Sequence, residues 1–156
     1  GTYYAEPGTY GSYPYAHWNF DYYVDLGSTV LNDYDSVELL YDFDPAADTD
    51  TTDAGVGTWD FITEYDDSGT RSHVENNQNP NFGFLDTGSF SPLDHPNIDF
   101  DPNQPGEYSF LLRVTQGSET LESGINVQVT PEPATMALLG MGLLGLIGVA
   151  HRRRNA

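Results

Sequence analysis

Apolar and polar side chains alternate with a period of two through much of the first 130 residues, and that rhythm makes the β-strand the main building element. In 17–26, Trp18, Phe20, Tyr22, Val24 and Leu26 share one face, opposite His17, Asn19, Asp21 and Asp25. In 36–44, Val37, Leu39, Tyr41 and Phe43 oppose Glu38, Asp42 and Asp44. Trp59, Phe61 and Tyr65 repeat the pattern less regularly, and Phe82 with Phe84 suggests a short strand over 81–85. Residues 107–115 turn Tyr108, Phe110, Leu112 and Val114 inward, and Ile125, Val127 and Val129 close the series. Gly, Asn, Asp and Pro punctuate these runs, so the expected fold is all-β, an antiparallel β-sandwich over residues 16–130. Nothing before residue 131 has helical spacing.

About 130 residues are enough for one domain with its own core, and there is no cysteine to staple it. The stretch Pro105-Gly106-Glu107-Tyr108-Ser109-Phe110 resembles the start of a late strand in immunoglobulin-like bacterial surface modules, where a tyrosine after a glycine turn packs the corner. Residues 1–15 form a separate Tyr/Gly-rich arm, with Tyr3, Tyr4, Tyr10, Tyr13 and Tyr15 set among Gly, Pro and Ser. Its lack of periodicity predicts an irregular arm or edge segment that packs its rings on the sheet. An adhesive use of exposed tyrosines is the alternative.

Charge excludes one class of partner. Of the 24 acidic residues, 23 lie in residues 1–130, opposed there only by Arg71 and Arg113, so this part carries 2 − 23 = −21. Nucleic acid is repelled by such a field; divalent cations and basic partners are compatible with it. Asp42, Asp44, Asp48, Asp50 and Asp53 crowd into twelve residues and could supply oxygen ligands to a calcium ion. Their spacing lacks the glycine and glutamate of an EF-hand loop, and a solvated acidic loop is the default reading. Asp94, Asp99 and Asp101 form a second acidic group, and Asp66 and Asp67 precede a Gly turn. His17, His73 and His95 are scattered, and neither a Gly-x-Ser-x-Gly elbow nor a His-Glu-x-x-His pair occurs. A catalytic function is not expected, and no cofactor other than a possible calcium ion is implied.

The C-terminus is built on a different plan. Pro131-Glu132-Pro133 precedes seventeen residues, 134–150, in which Thr135 is the only polar side chain; His151 and the triplet Arg152, Arg153 and Arg154 follow. A helix of that length spans roughly 25 Å at about 1.5 Å per residue, near the lower limit for a bilayer. The arginines can reach the head groups and fix the cytoplasmic side, leaving the bulk of the chain exported. The two prolines favour an extended, accessible strip at the membrane face. Gly140-Met141-Gly142-Leu143-Leu144-Gly145 spells a dinucleotide-binding fingerprint but lacks the strand, amphipathic helix and acidic residue that motif needs.

Residues 130–154 resemble the C-terminal sorting signal of the PEP-CTERM proteins of Gram-negative bacteria, from Pro-Glu-Pro-Ala-Thr through the Leu/Gly-rich run to the basic end. The resemblance implies that exosortase, a membrane enzyme, recognises the motif, cuts near it and releases or transfers the protein to the cell surface. Pro131, Glu132 and Pro133 are then substrate residues for that enzyme, and the company such proteins keep is exopolysaccharide and biofilm. The expected protein is a non-catalytic surface or matrix component, held transiently in the inner membrane by a helix over 134–150. A calcium- or carbohydrate-binding module is the rival, with a secreted hydrolase third. The sequence starts without an initiator methionine or a leader, and an export signal that was removed or omitted is expected.

Overall fold

The computed structural model describes residues 1–47, 56–65, 70–86, 93–96 and 98–131. Among them the chain is mostly β-strand: β1 (Thr2–Ala5), β2 (Phe20–Asp25), β3 (Ser36–Asp42), β4 (Val56–Asp60), β5 (His73–Gln78), β6 (Leu93–Asp94), β7 (Gly106–Gln116) and β8 (Glu119–Val129). Helix is confined to a 3-10 turn at Leu31–Asp33 and to two single turns, α1 (Phe61–Glu64) and α2 (Gly83–Asp86). Six strands form one open sheet in the order β1-β8-β7-β3-β4-β6, and β2 pairs with β5 in a second. Neither sheet closes on itself.

The alternation sets the packing. Phe20, Tyr22 and Val24 of β2 are buried while Asp21, Tyr23 and Asp25 face out. The buried set meets the larger sheet and α1: Phe20 stacks on Phe110 with centroids 4.2 Å apart, and Tyr22 lies 4.9 Å from Phe61 and 5.9 Å from Trp59. Trp18 sits against Phe100 and Tyr108. Each such aromatic pair adds roughly 0.5–1.5 kcal/mol beyond the area it buries. Tyr108 is 1% exposed, and its hydroxyl donates to the Gln104 carbonyl at 2.9 Å, closing the corner before β7.

Three sequence expectations need correction. The pairing is not wholly antiparallel, because β1 runs parallel to β8 with Thr2 opposite Asn126 and Ala5 opposite Val129. A parallel pair needs a long connection, and the rest of the domain lies between these two strands and supplies it. The strand expected over 81–85 is a turn followed by α2. The Phe82 amide donates to Asn79 and the Leu85 amide to Phe82, which winds the backbone, stacks Phe82 on Phe84 and drives Leu85 fully inside. The rings of the N-terminal arm do not pack on the sheet: Tyr3, Tyr4, Tyr10, Tyr13 and Tyr15 are all exposed. The irregular spacing around Trp59 has a local cause, since Asp60 ends β4 and caps α1 through the Ile62 and Thr63 amides.

The transmembrane helix expected over 134–150 lies outside the described residues. Among the described residues no helix is long and apolar enough to cross a membrane.

Candidate functional site

Strand β8 ends at Val129, fully buried, and the last tie beyond it is the Thr130 amide donating to the Ala5 carbonyl at 3.0 Å. Pro131 is exposed. The other expected sorting residues, Glu132, Pro133, Arg152, Arg153 and Arg154, lie outside the described residues.

The acidic loop divides in the same way. Asp42 is buried, 4% exposed, and its Oδ1 accepts the Asp44 amide at 2.8 Å; Asp44 Oδ1 accepts the Ala46 amide at 2.9 Å. Two consecutive side-chain caps turn the chain out of β3. Asp48, Asp50 and Asp53 lie outside the described residues. Among the described residues no group of three or more His, Asp or Glu side chains could hold a metal ion.

A hairpin in the tyrosine arm makes a more distinctive surface. The Tyr13 amide donates to the Tyr10 carbonyl and the Tyr10 amide to that of Tyr15, with Gly11 at φ 57° supplying the left-handed turn. Tyr13 and Tyr15 lie parallel within 3°, centroids 6.3 Å apart, and the edge contact of Tyr15 with Phe82 braces the pair. Tyr10 meets His17 edge-on, and the His17 Nε2 lies 2.8 Å from the Thr9 carbonyl. These rings line a shallow groove of about 670 Å³ whose lining contains neither a carboxylate nor a Lys or Arg side chain.

Asn79 holds the hairpin in place. Its Oδ1 accepts the Ala16 and Asn81 amides, and its Nδ2 lies within 3.1 Å of the carbonyls of Ala16 and Trp18 and the Oδ1 of Asn19. From there a relay crosses the outer face of the small sheet. Asn19 donates to Asn77 at 2.7 Å, and Asn77 donates to Asp21. Both ends fix its direction, because backbone amides can only donate and an ionised carboxylate can only accept. Asn77, Asp21, Tyr23 and Glu75 line a second shallow depression beside the groove. The sequence reading passed over this surface; its one signal was the run Asn76-Asn77-Gln78-Asn79-Pro80-Asn81.

The perturbed acids are raised chiefly by burial. Burial, followed by Tyr65 and Glu64 nearby, pushes the Tyr22 phenol far above its ordinary range, and burial raises the Glu64 carboxyl. Tyr108 is pushed up to about 12 by burial, with Asp101 and Asp44 adding to it. His73 is exposed on β5.

Residues 129–154 match the PEP-CTERM protein-sorting motif. No curated protein and no solved structure matches the chain. The PEP-CTERM motif implies export, sorting to the surface and processing by an exosortase. It begins at Val129, the last residue of β8, so folded domain and sorting signal meet with almost no linker between them. A cut at or beyond Pro131 removes no described core residue.

Proposed function

We propose that this chain is a non-catalytic surface or extracellular-matrix component, delivered by exosortase and deployed alongside exopolysaccharide in a biofilm. The supporting observation is the junction: the motif starts where the last buried strand stops, and Pro131 is exposed there. Residues 134–150 serve as the transient inner-membrane anchor, with Arg152, Arg153 and Arg154 on the cytoplasmic side. The exported part is a two-sheet sandwich of immunoglobulin-like kind, a reading supported by the Tyr108 corner. Replacing Pro131, Glu132 and Pro133 together by alanine is expected to leave the protein full-length in the membrane fraction. Release at the native size would refute the assignment.

A ligand-binding module is the second reading, and the tyrosine groove favours carbohydrate over calcium. Asp42 and Asp44, the described members of the acidic loop, each cap a backbone amide.

A further inference from the structure

Exposed aromatic rings on a soluble domain mark interaction surfaces, and here they cluster on a hairpin that the fold holds rigidly. We infer that the Tyr13/Tyr15 face and the Asn19–Asn77–Asp21 relay form one continuous binding surface for a neutral, gluco-configured polysaccharide. This rests on the carbohydrate reading above and narrows it to a place and a ligand chemistry.

The ring geometry comes first. The rings of Tyr13 and Tyr15 lie parallel within 3°, with centroids 6.3 Å apart, so their faces look in one direction. A gluco-configured pyranose has axial C–H bonds on both sides of its ring and equatorial hydroxyls around its rim. It can lay an apolar face on a phenol while its rim stays available for hydrogen bonds. Among the described residues the hydroxyls of Tyr10, Tyr13 and Tyr15 make no hydrogen bond, so each can donate and accept. The rings are also preorganised. Phe82 braces Tyr15, Asn81 donates to the Pro14 carbonyl, and Asn79 clamps Ala16, so little freedom remains to be lost on binding.

The relay supplies the polar half. It leaves the hairpin at Asn19, which lines the groove, and reaches Asn77 and Asp21 in the neighbouring depression with Glu75. Its amides and carboxylates have fixed directions and unused lone pairs facing solvent, the usual complement of a hydroxyl-rich ligand. Charge selects among glycans. A net −21 over residues 1–130 opposes a polyuronate or a sulfated chain, and the groove offers neither Lys nor Arg to offset it. A proline-rich peptide could also use an aromatic groove, but it would leave the Asn77–Asp21 end without a donor partner.

The test is affinity gel electrophoresis of the full chain in mild detergent, through gels containing a soluble neutral β-glucan, alginate or no polysaccharide. The β-glucan should retard the protein and alginate should not. Tyr13→Ala/Tyr15→Ala should weaken retardation at least about tenfold, the equivalent of one lost stacking contact, while the melting temperature falls by no more than the few degrees that losing the Tyr15–Phe82 edge contact allows. Tyr13→Phe/Tyr15→Phe should keep most of the binding, and Asn77→Ala should lose part of it. Equal retardation of wild type and the alanine double variant overturns the location. Retardation by alginate alone overturns the ligand class yet leaves a carbohydrate module standing. Failure of both glycans, or capture only by a proline-rich peptide in a parallel titration, overturns both.

Discussion

Asn79 is 4% exposed, and its amide meets five polar atoms from Ala16, Trp18, Asn19 and Asn81. Asn79→Ala strands the buried Ala16 amide and carbonyl, and an unpaired buried polar group costs about 1–3 kcal/mol. We expect roughly 2–4 kcal/mol of lost stability in urea titration, with amide exchange accelerated first in residues 9–16; a loss below 1 kcal/mol would contradict the clamp. Tyr108 gives a pH signature. Its phenol is raised from 10.0 to about 12, so it favours the fold fully below pH 10 and loses that contribution as pH climbs towards 12. At 1.36 kcal/mol per unit the loss is about 2–3 kcal/mol. Melting curves from pH 9 to 12 should therefore fall more steeply for wild type than for Tyr108→Phe, and parallel slopes would refute the assignment.

At the scale of the element, β2 was legible because it buries every second side chain, whereas β3, β7 and β8 carry alternating sequences but bury Leu39–Asp42, Tyr108–Phe110 and only Val127 with Val129. Strand β5 was not. Its sequence HVENNQ buries only Val74 and Gln78, and it becomes a strand by pairing along its whole length with β2. Phe82 and Phe84 misled for the opposite reason: they have strand spacing, but the Asn79 carbonyl has already turned the chain. The tail could be read because a sorting signal is a linear motif. The tyrosine groove could not, because it depends on contacts between Ala16 and Asn79 across 63 residues. Strand pairing also explains one glycine. Gly57 of β4 lies opposite Tyr41 of β3, and a Cβ there would collide with the edge of the Tyr41 ring and with Pro96. Tyr41 is fully buried and tied by its hydroxyl to the Leu85 carbonyl at 2.9 Å, so it has nowhere to retreat. Gly57→Ala should cost about 1–3 kcal/mol or more by overpacking, as read in thermal denaturation. A neutral or stabilising effect would show that the strands can separate there.

On the scale of the whole molecule, the chain is an acidic two-sheet domain joined directly to its address. The junction lies at one end of the large sheet, where Gly106 pairs with Val129 and the Glu107 amide donates to the Pro45 carbonyl. Asp44, Asp101 and Glu107 gather at that end, as the effect of Asp44 and Asp101 on Tyr108 and the place of Glu107 on β7 beside Tyr108 indicate. The domain keeps its described core when the tail goes, so removal should leave it folded. The most direct measurement is the intact mass of the protein recovered from the surface of cells with and without the exosortase. The account predicts that exosortase-positive cells yield a species retaining β8 through Val129 but lacking residues 134–150, absent from cells without the enzyme. A single mass that includes Arg152, Arg153 and Arg154 in both would contradict it.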